Sequence, residues 1–109
     1  MTDVLAERCS DFADLAVDLM RASMESQSNA VKLAEVVALV GRMRSIVALP
    51  TDGITNAAFL QWNSTAGDTL DAMEQGAARG DARAVWAAFT DPRTGMAGLG
   101  QGCAGYPRW

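Results

Sequence analysis

Apolar residues return along this chain in four blocks with helical spacing. In the first, from about Thr2 to Met24, Leu5, Phe12 and Leu19 recur every seven residues, with Cys9, Ala16 and Ser23 beside them. Such a repeat draws one buried stripe along a helix. Asp3, Glu7, Asp11, Asp14 and Asp18 follow each other at intervals of four and three on another face. Thr2 or Asp3 is suited to cap the start, and early acids favour the positive end of the helix dipole. Ser26-Gln27-Ser28-Asn29 is a polar connector. Ser28 or Asn29 then caps a second helix running to about Leu49, with Val36, Leu39, Val40, Met43 and Val47 as its buried stripe. Pro50 and Thr51-Asp52-Gly53 end it with turn chemistry.

Thr55 or Asn56 opens a third helix. Phe59, Trp62, Ala66, Leu70, Met73 and Ala77 mark its inner face, Gly80 stops it, and Asp81 caps the next. The fourth helix starts at Ala82, carries Val85, Trp86, Ala88 and Phe89, and meets Asp91-Pro92. Beyond lie Gly95, Gly98, Gly100, Gly102 and Gly105, half of the chain's 10 glycines. Each costs a helix about 1 kcal/mol relative to Ala. No strand pattern competes. The expected fold is a single all-α domain over 1–109, an antiparallel up-down-up-down four-helix bundle. Its last helix is expected to break near Pro92 and lead into a Gly-rich C-terminal tail.

Composition narrows the chemistry. The net charge of −4 argues against nucleic acid, which requires a basic face, and suits a basic protein partner. The sequence has no histidine, which excludes imidazole acid–base catalysis, Ser-His triads, H-E-x-x-H zinc sites and His-ligated haem. The apolar run Val36–Val40 is far short of the ~20 residues of a membrane span. No signal peptide is visible at the start, so the protein is expected to be cytoplasmic as written, or periplasmic if the chain is a processed form.

The order Asn56-Ala57-Ala58-Phe59, a long helix, Gly80-Asp81, Ala88-Phe89 and Gly100-x-x-Cys103 resembles the C-terminal half of cytochrome c prime, over residues 54–103. Over residues 1–50 only helix length and Leu49-Pro50 agree. The resemblance implies a helical bundle, dimers formed through the first two helices, and haem held by C-x-x-C-H. Here Cys103 stands at the first attachment cysteine, while Tyr106 and Pro107 stand where the second cysteine and the iron-ligating histidine would be. About seven extra residues, near Thr90–Met96, precede the cysteine. The haem chemistry therefore does not carry over, and Cys103 reads as a remnant of haem attachment.

Several candidate sites remain. Cys103 is either a residual thioether or reactive thiol, or an inert buried side chain. Cys9 lies early in the first helix and Cys103 late in the last, which a bundle makes neighbours. If oxidised, they would close nearly the whole chain. Met20, Met24, Met43, Met73 and Met96 are better read as core filling than as soft copper ligands. The row Asp3, Glu7, Asp11, Asp14 and Asp18 either docks a basic partner or is a solvated face. Tyr106 and Trp109, in the tail, either fold back into the space a haem would take or belong to a flexible segment recognised by a partner. A substrate segment on a folded leader, or a divergent gene end, are the other readings of the tail. The expectation is a non-enzymatic protein without cofactor that acts by protein–protein recognition or self-association. The rival is a haem-binding electron-transfer or gas-binding cytochrome with atypical ligation. That rival requires a porphyrin-sized hollow beside Cys103.

Overall fold

The computed structural model describes residues 3–109. Among them the chain forms five helices and no strands: α1 (Val4–Glu25), α2 (Lys32–Val47), α3 (Ala57–Ala78), α4 (Ala82–Thr90) and α5 (Ala97–Gly102). Helix α1 packs on α2 and α4, and α3 packs on α2, α4 and α5. The long helices of 22 residues give a body of 44 × 22 × 21 Å.

The helix starts follow local side-chain chemistry. Asp3, Asn56 and Asp81 each accept a hydrogen bond from the backbone N–H three residues on, at Ala6, Phe59 and Ala84. This satisfies one of the N–H groups that every helix leaves without an internal partner. Thr2, the other candidate cap of α1, lies outside the described residues. Helix α2 differs from expectation. Asn29 accepts from Val31 in a tight turn, and the helix begins only at Lys32 with no side-chain cap. Gly80, with φ +71°, turns the chain out of α3, and Asp81 N–H bonds back to the Gly76 carbonyl.

The expected stripes are buried, except that Ala16, Val47, Trp86 and Ala88 are only half-buried. Leu5, Cys9, Phe12, Leu19, Val36, Val40, Met43, Phe59, Trp62, Ala66, Leu70, Met73 and Val85 make one continuous core. Its centre is aromatic. Phe12 meets Trp62 edge-on at 5.2 Å, and Phe59 lies 6.4 Å from Phe12 and 5.9 Å from Trp62. Such pairs add to the burial of their area. Met43, Met73 and Met96 are core residues, but Met20 and Met24 are 39% and 52% exposed, so the reading of all five as core filling is corrected for these two. They sit on the flank of α1 that turns away from the stripe.

The Gly-rich end is more ordered than a tail. After α4 the chain makes a tight turn. The Asp91 carboxylate accepts from the N–H groups of Arg93 and Thr94, which holds its pKa below the usual carboxylate value. Gly95 has no alternative in that turn, because a Cβ there would collide with the Phe89 carbonyl. Helix α5 follows despite three glycines in its six residues. It forms because Leu99 is fully buried and Gly102 lies flush on α3, where a Cβ would come within 2.7 Å of the Phe59 Cα. Tertiary contact here outweighs a poor propensity.

Candidate functional site

Cys9 and Cys103 are both wholly buried and are joined by a disulfide, with Cα atoms 5.7 Å apart. The bond links α1 to the end of α5 across a separation of 94 residues. In the chain-entropy account a loop of that size restricts the unfolded chain by about 4–5 kcal/mol. The place where a porphyrin would attach is filled by the protein's own packing. The Cys103 sulfur is bonded to Cys9, the chain has no histidine, and Gly102 backs directly onto Phe59. A ring attached at Cys103 would have to displace that packing.

The residues after Cys103 fold back onto α1. The Tyr106 hydroxyl donates to the Asp3 carboxylate at 3.0 Å, on the oxygen not used for capping. Arg108 reaches Asp14 at 2.6 Å and the Ser10 carbonyl at 3.3 Å. The Trp109 indole N–H donates to the Cys9 carbonyl at 2.9 Å. Tyr106 and Trp109 are half-buried against the core. The acidic row is thus partly occupied by the chain itself. Asp3 and Asp14 take the end of the chain, while Glu7, Asp11 and Asp18 make no ion pair among the described residues. Arg21 follows the row on the same helix.

This folding back builds a groove. Ala13, Ala16, Val17 and Met20 form one wall, Phe89, Met96 and Ala97 the other, and Arg108 and Trp109 close one end. Its volume is about 400 Å³, and its lining is mainly apolar. Val17 is 47% exposed, and Met24 continues the apolar line one helical turn beyond Met20. The groove between α1 and α2 has another character. It is lined by Asp11, Asp14, Arg42 and Ser45 with only Leu15 and Ile46 to soften it. The large exposed apolar side chains of α1 therefore lie on the side of α4 and α5.

Sequence reading missed Arg8. It stands in the stripe between Leu5 and Phe12, is 6% exposed, and donates to the Pro50 carbonyl at 2.7 Å. Its other terminal nitrogen has no protein partner. Its position at helical spacing from both stripe residues was the available signal. The side chain ties α1 to the turn before α3. Met96 and Ala97 were also missed as groove residues, because only the turn at Asp91–Gly95 brings them to α1. Another half-enclosed hollow, of about 210 Å³, lies between α3 and the same turn, lined by Thr65, Asp68, Thr69, Ala72, Ala88, Asp91 and Thr94. Thr69 already donates to the Thr94 carbonyl at 2.6 Å there.

The fold and site together define a class: a helical chain whose first and last helices are joined by a buried disulfide and share an apolar groove, closed at one end by an arginine paired with an acid of α1. No family model, curated protein or solved structure matches the chain. No helix among the described residues is long and apolar enough to cross a membrane.

Proposed function

We infer that this protein is a non-enzymatic recognition module that binds a basic, amphipathic segment of a protein partner on the outer flank of α1. One observation carries the reading: the apolar groove between α1 and the C-terminal segment is closed by Arg108, whose partner Asp14 belongs to the acidic face of α1 that also carries Glu7, Asp11 and Asp18, which form no ion pair among the described residues. A helix with one apolar face and flanking lysines or arginines meets both features at once. The chain's own Arg108 and Trp109, seated on Asp14 and the Cys9 carbonyl, illustrate the chemistry this flank accepts.

The cyclic neighbour order of α1, α2, α3 and α4 supports the up-down-up-down bundle, and the likeness to cytochrome c prime without covalent haem rests on the residues 54–103 that resemble it. A disulfide suits an oxidising compartment, which favours the periplasmic alternative over the cytoplasmic one. Self-association through α1 and α2 has less support, because charged side chains, Asp11, Asp14 and Arg42, line the groove between them. The absence of histidine from the sequence supports a binding role over catalysis.

The test uses a labelled synthetic Leu/Lys amphipathic helix and the oxidised protein. Binding is expected to weaken about tenfold or more in Val17→Asp, although that change adds a negative charge. Binding as tight as wild type or tighter in Val17→Asp would mean attraction by the acids alone and would overturn the groove as the site. No binding to wild type would overturn the reading outright.

A further inference from the structure

We propose that the Cys9–Cys103 bond is a redox clasp: it holds the segment Met96–Trp109 against α1, and its reduction releases that segment and dismantles the groove. The proposal rests on the recognition reading for its consequence, and on geometry for its mechanism.

Four observations converge. The groove's far wall and its closed end, Met96, Ala97, Arg108 and Trp109, belong to the C-terminal segment, while the near wall belongs to α1. The covalent link between the two walls is the disulfide. Every polar tether of the end of the chain lies beyond Cys103, and those of Tyr106 and Arg108 are exposed to solvent. Exposed pairs of that kind hold a chain weakly and are screened by salt. Finally, α5 is short and half glycine, so little local preference keeps it formed once the link is cut. By contrast α1, α2 and α3 share a core centred on the mutual contacts of Phe12, Phe59 and Trp62, none of which belongs to the released segment.

The reaction is a thiol–disulfide exchange with a dithiol reductant. One thiolate of the reductant attacks a protein sulfur, breaking the S–S bond and forming a mixed disulfide. The reductant's second thiol then displaces that sulfur. Two electrons and two protons pass to Cys9 and Cys103, which become thiols, and the reductant departs as its own cyclic disulfide. Both cysteines are wholly buried, and Trp109 lies over the Cys9 backbone, so attack waits on a local opening of the same segment. Release also frees Asp3 and Asp14. The reduced state thus presents a longer acidic row and no apolar groove.

The measurement is amide hydrogen exchange on wild-type protein folded oxidised and then reduced with dithiothreitol, with two alkylated thiols by mass as the sign of complete reduction. Reduction after folding avoids a Cys9→Ser/Cys103→Ser variant that has to fold without the bond. Exchange in residues 96–109 is expected to rise about tenfold or more, while α3 keeps its protection. Unchanged protection of residues 96–109 would overturn the clasp. Loss of protection throughout the chain would also overturn it, because the bond would then be a global staple. The Leu/Lys helix is added to both forms as a separate arm. Binding to the oxidised form alone supports the gate, and equal binding to both forms overturns it. Absence of binding to the oxidised form removes the recognition reading, and the exchange data still decide whether the segment is released.

Discussion

Helix α3 and helix α5 are both helical, both pack on Phe59 or carry it, and owe their form to different causes. Helix α3 has six periodic apolar residues over five turns, an Asn56 cap and a glycine stop. Its sequence specifies a helix before any partner arrives. Helix α5 has Gly98, Gly100 and Gly102 in six residues, no side-chain cap, and a disulfide one residue past its end. Its conformation is imposed from outside, by Leu99 in the core, by the close fit of Gly102 on Phe59, and by Cys103. Two stretches with the same backbone geometry therefore respond differently to the same insult. Damage to the α1–α3 core is expected to spread through the whole molecule, and damage at α5 to act first on residues 96–109.

The largest effect is expected from Phe12→Ala. Phe12 is wholly buried and meets both Trp62 and Phe59. Truncating such a ring costs about 3–5 kcal/mol, a large part of the ~5–15 kcal/mol that holds a small domain. Urea unfolding is expected to show a much lower midpoint, with every helix losing protection together. A loss under about 1 kcal/mol would contradict the central role of the aromatic cluster and erase the contrast with α5.

A paired substitution sharpens the contrast within α5 itself. Gly102→Ala places a methyl 2.7–2.9 Å from the Phe59 backbone and Cβ, which cannot move aside cheaply. Overpacking of this kind costs about 1–3 kcal/mol. Gly100→Ala meets nothing within 4 Å and replaces a poor helix former, so it is expected to stabilise by about 0.5–1 kcal/mol. Opposite signs for two glycines two residues apart, read from thermal midpoints with exchange confined to residues 96–109, would show that close approach governs the position and propensity does not. The same sign for both would break that account.

These residues also mark where sequence reading succeeds and where it stops. The stripes of α1 and α3, the caps Asp3, Asn56 and Asp81, and the stop at Gly80 follow from spacing and local hydrogen bonding, which act within a few residues. The break at Asp91-Pro92 is local in the same sense. The order beyond it is not. Glycines every few residues spell a loose tail by propensity, yet Gly95 is required by a carbonyl six residues earlier and Gly102 by a helix more than forty residues earlier. The groove was out of reach for the same reason, since it needs Met20, Phe89, Met96 and Trp109 from separate segments. The acidic row was legible as a pattern, but its partial occupation by Tyr106 and Arg108 depends on the direction the chain takes after Cys103. Arg8 carries a signal in its position that its charge obscures. It sits in the apolar stripe and is buried there.

The smallest effect tests the end of the chain, where the tethers are polar and exposed. Tyr106 is the only tyrosine, so its ionisation can be followed by ultraviolet absorbance without ambiguity. Its hydroxyl donates to Asp3, and that bond, with the carboxylate's charge, raises its pKa above the ordinary 10.0. A pKa raised in the folded state fixes the sign. The tether is intact below pH 10 and is lost as the pH climbs through the higher native value, where the phenolate faces the Asp3 carboxylate. The hydroxyl's bond to Asp3 is solvent-exposed, so the effect is on the attachment of the end of the chain and not on global unfolding. Asp3→Asn keeps an N-cap of similar quality and removes the charge, so it is expected to bring the Tyr106 titration back toward 10 with the helix content of α1 unchanged. A native titration at or below 10 in wild type, or one that Asp3→Asn leaves where it was, would mean that the end of the chain does not rest on α1. The groove would then lose the wall that Trp109 and Arg108 supply.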